Sequence, residues 1–163
     1  MLPANASERF GKLFKKNLFW MVSRGALWCY GHAPVFGRLR ASIGVIRNAS
    51  SVLAIRRNDG RGLSLPGGLA VPWEPDEKAL IREIKEETGL LCDGFEFAFR
   101  YESRLQIPVL ITVFHVRTTG EIRGSWEGDP EWVTIAELQN QILRSQQQVV
   151  ERLLTVSKNT VSD

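Results

Sequence analysis

Three glutamates with helical spacing are the residues of this chain best suited to chemistry. Glu83, Glu86 and Glu87 are separated by three and four positions, so at about 100° per residue their side chains share one arc of a helix. Carboxylates at these spacings repel by roughly 0.2–0.5 kcal/mol per pair, and all three lie near the negative end of the helix dipole. A bound cation would remove both penalties, so the arc indicates a metal site. The simpler alternative is a solvated acidic helix face.

The ion that suits such a site is Mg²⁺, with Mn²⁺ as a possible substitute. Hard divalent cations take oxygen ligands and keep several water molecules. Two or three carboxylates and one backbone carbonyl would therefore leave room for the phosphate groups of a substrate. Pro66, Gly67 and Gly68 precede the glutamates and predict a turn, in which glycine lets a backbone carbonyl approach an ion where a side chain would block it.

A helix must position the glutamates, and the sequence predicts one from about Pro75 to Thr88. Proline suits the first helical position because its missing N–H is not needed there, and the run of helix formers ends at Gly89. Leu80, Ile81 and Ile84 form an apolar stripe beside the carboxylates. We expect this stripe to face a hydrophobic core.

A longer pattern surrounds the glutamates. Gly68, five residues, Glu74, seven residues and the run from Arg82 to Leu90 match the Nudix box, G-x5-E-x7-R-E-U-x-E-E-x-G-U with U apolar, at every specified position. At ordinary residue frequencies, a chance match in a chain of this length has odds on the order of one in ten million. The chain thus resembles a Nudix hydrolase through a motif that, together with Gly67 before it, occupies 24 of its 163 residues.

The resemblance implies a reaction and a set of site residues. In Nudix hydrolases a metal-activated water attacks one phosphorus of a pyrophosphate, typically in a nucleoside diphosphate linked to another group. By position in the motif, Arg82 and Glu74 would brace the helix that carries the ligands. The implied metal ligands are Gly67, Glu83, Glu86 and Glu87, and the residues implied to support the site are Gly68, Glu74 and Gly89.

The general base is the role that the motif leaves open. Glu83 is the first choice within the box. Outside it, Glu127 lies five residues before Trp132, close to where relatives often place a glutamate, although an exposed loop acid is the simpler interpretation. Asp129 and Glu131 are weaker candidates. The candidate catalytic residues are therefore Glu83, Arg82 and Glu127.

One loop departs from the family pattern. The residue before the first glutamate of the box is usually small, whereas here Trp73 precedes Glu74 and follows Pro72. We therefore expect the loop between the paired glycines and the helix to differ from the usual one.

Strand-like segments lie on both sides of the predicted helix. Two of them flank Asn48–Ser50 and predict a hairpin, and two capping-box patterns, Thr134 with Glu137 and Ser145 with Gln148, predict short helices near the C-terminal end. These elements predict an α/β fold with a mixed central sheet between helices, and the resemblance implies the same α/β/α sandwich of the Nudix type. The predicted strands are 40–47, 51–57, 63–65, 95–103, 109–118 and 131–133.

Composition places the chain among ordinary globular proteins. It has 163 residues, 44% apolar and 24% charged, which suits one domain with its own core. Cys29 and Cys92 fit neither a zinc pattern nor a disulfide framework, so we expect a reducing, cytoplasmic location. The apolar run Leu18–Val22 is too short for a membrane span.

The basic residues are concentrated near the start of the chain. Residues 1–47 carry eight Lys or Arg and one acid, a net +7, whereas the remainder has thirteen against seventeen, a net −4, and the two sum to +3. We predict a basic amphipathic helical segment at 1–38 and a Nudix domain at 39–158. Aromatic residues in the segment favour packing on the domain or on a second subunit, which makes a homodimer possible. Contact with nucleic acid or a membrane surface is the less favoured alternative.

The sequence as a whole favours Mg²⁺-dependent hydrolysis of a pyrophosphate bond in a small nucleotide-type substrate. One alternative is a catalytically silent, nucleotide-binding regulatory module with a Nudix fold. The complete set of glutamates argues against it, because a binding module has no need for repelling carboxylates. Another alternative is a pyrophosphohydrolase tethered to RNA or to a membrane by the basic segment.

Overall fold

The structure, a computed structural model, describes residues 39–105 and 108–159. The predicted helical segment at 1–38 lies outside these residues, and so does every interpretation of its packing. Among the described residues, no helix combines the length and the apolar character that crossing a bilayer requires.

Seven strands and three helices make up the described chain. A single turn of 3₁₀ helix at Arg144–Gln146 precedes the last helix. The strands are β1 (Leu39–Asn48), β2 (Ser51–Arg57), β3 (Leu63–Ser64), β4 (Gly67–Leu69), β5 (Leu91–Ser103), β6 (Val109–Thr119) and β7 (Gly128–Thr134), and the helices are α1 (Asp76–Thr88), α2 (Ile135–Gln141) and α3 (Gln147–Asn159).

The sheet is mixed, as the sequence predicted. Its order is β3-β2-β1-β6-β5, with β4 paired to β1 and β7 paired to β2. Strands β1 and β6 run parallel, whereas β1 and β2 form the predicted antiparallel hairpin, in which Asn48 pairs with Ser51. The long β1 therefore lies at the centre of the sheet, where it pairs with β2, β4 and β6.

The two faces of the sheet bury different helices. Strand side chains alternate between the faces, so β1 contributes Val45 to one core and Ile46 to the other. The first core includes Leu138 of α2 and Val149 and Val150 of α3, and the second is closed by Leu80, Ile84 and strand residues such as Phe114. This layering confirms the α/β/α sandwich.

Helix α1 agrees with the sequence prediction to within one residue. Pro75 lies just before it with an extended backbone (ψ 147°), and Gly89 ends it in the left-handed conformation (φ 73°), which glycine adopts without strain. Leu80 and Ile84 are fully buried, but Ile81 is 41% exposed. The prediction that Ile81 faces the core was wrong, because one residue turns the helix by about 100°.

Two further predictions are corrected by the structure. The predicted turn at Pro66–Gly68 is in part a strand, since Gly67 and Gly68 pair with Ile43 and Ser42 of β1. Ser145 does not cap a helix but lies inside the 3₁₀ turn, where its carbonyl oxygen accepts a hydrogen bond from the hydroxyl group of Tyr101. By contrast, the capping box of Thr134 and Glu137 is present at the start of α2.

Candidate active site

The end of α1 that carries the glutamates lies against the paired glycines of β4. Glu87 is only 4% exposed, and its Oε2 accepts a hydrogen bond of 2.8 Å from the N–H group of Gly67. Gly67 has φ 141°, and a Cβ atom there would overlap the carbonyl oxygen of Ser42 on β1. Only glycine therefore allows β4 to lie close enough to β1 to meet Glu87.

The second glycine makes room for a carboxylate rather than for the backbone. A Cβ atom on Gly68 would collide with the side-chain carboxylate of Glu83. Each position thus requires glycine for a different steric reason. Together the two glycines let two glutamates of α1 approach the β4 backbone.

Arg82 joins the loop before α1 to the glutamates on it. Its Nε and Nη2 atoms donate to the two carboxylate oxygens of Glu74, at 3.1 and 2.9 Å, and Nη2 also donates to the carbonyl oxygen of Leu69 at 3.2 Å. Its Nη1 atom donates to Glu83 at 2.7 Å and lies 3.6 Å from a carboxylate oxygen of Glu86. One guanidinium group therefore contacts three of the glutamates in the motif.

Glu127 lies just before β7 and is half-buried rather than an exposed loop acid. Asn58, which follows β2, donates its backbone N–H to the Glu127 carbonyl oxygen at 2.9 Å and so holds the loop. Burial raises the pKa of Glu127, and the negative charges of Glu83 and Glu86 raise it further. Glu83, Glu86, Glu87 and Glu127 therefore share one electrostatic environment, and we refer to them as the acidic cluster.

The other two acids near Glu127 do not join this cluster. Asp129 is exposed, and Glu131 pairs instead with Arg56 of β2. Of the loop acids that the sequence offered, only Glu127 is brought to the glutamates of α1.

The acidic cluster holds more negative charge than its cations balance. Burial raises the pKa of Glu87 to about 8, and the charges of Glu127 and Glu83 act in the same direction, opposed by the hydrogen bond from Gly67. Burial also raises the pKa of Glu83, against the lowering effect of Arg82. Isolated buried carboxylates are costly unless a cation or donor compensates them, so the site is suited to receive positive charge.

Arg57 is a residue of this region that the sequence analysis missed. It ends β2, and its Nη2 atom contacts Asp59 at 2.7 Å, which fixes the direction of the guanidinium group. Its positive charge lowers the pKa of Glu87 and of Glu127, so it lies beside the acidic cluster. The sequence did show a basic residue at the end of a predicted strand, two positions before an acid. It did not show that Arg57 lies near α1, because that depends on the fold.

The donor set fits a hard divalent ion in its chemistry. Among the described residues, no three acidic, histidine or cysteine side chains converge as a finished cation site, because Glu83 and Glu86 are held by Arg82 and Glu87 by Gly67. All the cluster donors are nevertheless carboxylate oxygens, which Mg²⁺ and Mn²⁺ prefer. An ion would also offset the charge that raises the pKa of Glu87.

Comparison with known proteins places this geometry in a family. A model of the NUDIX domain matches residues 37–153, a span that contains the whole acidic cluster. An ADP-ribose pyrophosphatase of Methanocaldococcus jannaschii is 36% identical over 89 residues, covering 53% of this chain and 50% of that protein. An 8-oxo-dGTP diphosphatase of Escherichia coli is 29% identical over 109 residues, covering 62% of this chain and 84% of that protein.

Solved structures share the fold at lower identity. The solution structure of the E. coli ORF135 protein has a TM-score of 0.67 and 18% identity, and the match covers 77% of this chain and 95% of that one. The chain spans about half the length of the M. jannaschii relative. With a domain match over most of its length and the complete motif on α1, this chain belongs to the Nudix hydrolase family.

Proposed function

We propose that the protein is a Mg²⁺-dependent pyrophosphohydrolase that acts on a small nucleotide-type substrate, with Mn²⁺ as a substitute ion. The observation that carries the proposal is Glu87, a carboxylate only 4% exposed that lies among other carboxylates. Its position is costly for the protein alone and useful with a cation. The activities named for two relatives, a pyrophosphatase of ADP-ribose and a diphosphatase of 8-oxo-dGTP, support a nucleoside phosphate as substrate.

In this proposal the glutamates of α1 hold the ion and Arg82 holds the glutamates. Glu83, Glu86 and Glu87 would bind it together with the backbone carbonyl of Gly67. When bound, the ion neutralises phosphate charge and lowers the pKa of a water molecule. Arg82, which is bonded to both carboxylate oxygens of Glu74, would orient Glu83 and Glu86 for this task.

The proposed general base is Glu127 rather than Glu83, the first choice from the sequence. Glu83 is one of the proposed ion ligands, and a carboxylate whose lone pairs are shared with a cation is a poor proton acceptor. Glu127 lies outside the proposed ligand set, and burial raises the pKa of its carboxyl group. A base is most effective when its pKa approaches the working pH, so Glu127 is the better acceptor for the proton of the attacking water.

Arg57 places a positive charge beside the acidic cluster. Its guanidinium group is aimed by Asp59 at 2.7 Å, and a planar fork suits phosphate oxygens. We propose that Arg57 binds a phosphate group of the substrate. The homodimer, the cytoplasmic location and the role of residues 1–38 stay predictions from the sequence.

The test is a substrate panel with matched variants. ADP-ribose, 8-oxo-dGTP, dGTP and a dinucleoside polyphosphate would be incubated with Mg²⁺, and the products separated by ion-exchange chromatography. We expect cleavage at a pyrophosphate bond by the wild type and by Glu77→Gln, an exposed acid in the first turn of α1, and its loss in Glu87→Gln. A wild type that binds a panel member but turns over none would favour the silent binding module.

A further inference from the structure

Asp76, the first residue of α1, is a buried acid outside the acidic cluster. It is 6% exposed, and its carboxylate accepts three hydrogen bonds: from Arg40 Nη1 at 2.6 Å, from Arg100 Nη2 at 2.9 Å and from Thr112 Oγ1 at 2.7 Å. The donors belong to β1, β5 and β6, three adjacent strands. One side chain thus connects the start of α1 to three of the seven strands of the sheet.

The same connection includes the backbone of α1. Ser42 of β1 donates its hydroxyl to the carbonyl oxygen of Asp76 at 2.7 Å, and Arg40 donates to the carbonyl oxygen of Glu74. Arg100 Nε donates to Thr112 Oγ1 at 2.9 Å, which fixes the direction of both donors to Asp76. Charge-assisted hydrogen bonds of this kind are directional and short. They therefore define both the distance of α1 from the sheet and its rotation about its own axis.

Asp76 lies on the same stripe of α1 as two members of the acidic cluster. Glu83 and Glu87 follow it by seven and eleven positions, which at 3.6 residues per turn are close to two and three whole turns. Any rotation of α1 that moves Asp76 away from its donors therefore moves Glu83 and Glu87 by a similar angle. The room for such a movement is small, because the Glu83 carboxylate lies directly against Gly68.

Apolar packing alone would not fix this rotation. Leu80 and Ile84 bury α1 on the sheet, but burial of apolar surface has no directional preference. At the other end of α1, the bond from Gly67 to Glu87 involves a carboxylate that an ion would also engage. Asp76, by contrast, is a directional contact of α1 whose donors all lie outside the acidic cluster.

We propose that Asp76 is a positioning residue for the metal site: its bonds to three strands set the rotation of α1, and the rotation sets where Glu83 and Glu87 point. The inference rests on the proposed function, since it concerns the ion-binding role of these glutamates. It predicts that a change at Asp76, about 16 Å along the helix from Glu87 at 1.5 Å per residue, alters ion affinity and not only stability.

The experiment is a titration of the full-length protein with Mn²⁺, in which the electron paramagnetic resonance signal of the free ion gives the dissociation constant. We expect Asp76→Asn to weaken Mn²⁺ binding by about tenfold or more, the loss that follows when residues that orient metal ligands are changed. Circular dichroism at the titration temperature would establish that the variant is folded. Glu77→Gln is the matched control, because Glu77 is an exposed acid in the same turn of the helix. The Mn²⁺ dissociation constant of this variant should equal that of the wild type.

A second variant keeps the inference testable if Asp76→Asn does not fold. Thr112→Val preserves the shape of a buried strand residue and removes one donor to Asp76, so we expect a smaller loss of Mn²⁺ affinity in the same direction. Thr119→Val, at the exposed end of the same strand, is its control.

The outcomes separate this inference from the proposed function. Tight Mn²⁺ binding by the wild type and equally tight binding by folded Asp76→Asn and Thr112→Val, with lower melting temperatures only, would mean that Asp76 serves stability alone and would overturn the inference. A wild type that binds no Mn²⁺ would overturn the proposed function itself, and this inference with it.

Discussion

Arg82 and Glu74 form a bidentate salt bridge across the loop that leads into α1, with Nε–Oε1 and Nη2–Oε2 distances of 3.1 and 2.9 Å. The pairing lowers the pKa of Glu74. Because the same guanidinium group donates to Glu83, the pair holds a candidate ligand in place from outside the acidic cluster. A planar fork is required for both tasks, and a lysine ammonium could not make the same set of bonds.

We therefore predict that Arg82→Lys damages the site more than the fold. The variant keeps the charge but loses the fork, so kcat/KM should fall by about tenfold to a hundredfold, as for other residues that orient metal ligands. The pair is partly exposed, and exposed pairs contribute only about 0–1 kcal/mol to stability, so the melting temperature should change little. Steady-state kinetics and thermal denaturation test this together, and a large drop in melting temperature with unchanged kcat/KM would contradict it.

Glu87→Gln should separate stability from activity. Glutamine can still accept the hydrogen bond from Gly67, but it carries no charge to bury, so in EDTA at pH 8 the variant should be at least as stable as the wild type. Activity should be lost, because an amide is a poor ligand for a hard cation. Glu86→Gln, whose side chain is 62% exposed, should also lose activity but with a smaller gain in stability. Wild-type turnover by either variant would remove that residue from the ligand set.

The ion-free protein should lose stability as the pH rises. The pKa of Glu87 is raised from its ordinary 4.5 to about 8 in the folded protein, so between these values the folded state binds more protons than the unfolded state. The stabilisation is complete below pH 4.5 and is lost as the pH approaches and passes 8. Melting temperatures in EDTA at pH 5, 6.5 and 8 should therefore fall, with a shallower slope in Glu87→Gln. Equal slopes in the two proteins would assign the effect to other groups.

Divalent ions should reverse part of this pH effect. Ion binding requires charged carboxylates and releases the proton of Glu87, so Mg²⁺ or Mn²⁺ should raise the melting temperature more at pH 8 than at pH 6. At a hundred times the dissociation constant the stabilisation is about 2.7 kcal/mol. Calorimetry in the presence and absence of millimolar ion measures it. If neither ion shifted the transition at pH 8, the acidic cluster would not be an ion site.

Local spacing was enough to predict α1 and the residues on it. Glu83, Glu86 and Glu87 meet because of helical periodicity, and Gly67 and Gly68 precede them in the same short stretch. What the sequence could not provide is anything set by the packing of distant strands. Arg57 is 30 positions from Glu87, and it reaches the acidic cluster only because β2 lies beside β1 and β7.

Burial was the other property that spacing left open. Asp76 looks from the sequence like an ordinary first-turn acid, which is favoured there by the helix dipole. Its three donors come from residues 40, 100 and 112, whose convergence depends on the parallel pairing of β1 and β6. Glu127 was uncertain for the same reason, because the bonds from Asn58 to Trp126 and Glu127, which hold its loop beside the sheet, join residues far apart in the sequence.

The loop before α1 contains the one departure from the family pattern that the structure explains. Trp73 has φ 65°, the left-handed conformation in which a residue other than glycine is strained by roughly 1–2 kcal/mol. Glycine would adopt this conformation freely, whereas the bulky tryptophan is held in it by the turn that precedes Glu74. Its indole is 87% exposed, so little burial is gained in return.

Trp73→Gly should therefore stabilise the protein or leave its stability unchanged. Glycine adopts φ 65° without strain, but it also gives the unfolded chain more freedom, so the net gain in unfolding free energy should be at most about 1 kcal/mol. Trp73→Ala is the matched control, because it removes the indole and keeps a Cβ atom in the left-handed conformation, and it should be less stable than Trp73→Gly. Urea denaturation measures the unfolding free energy of all three proteins.

If the alanine variant proved as stable as the glycine variant, the strain would not reside in the backbone of this residue. If Trp73→Gly was also markedly less active with unchanged stability, the exposed indole would have a role in substrate binding that outweighs the strain of its turn.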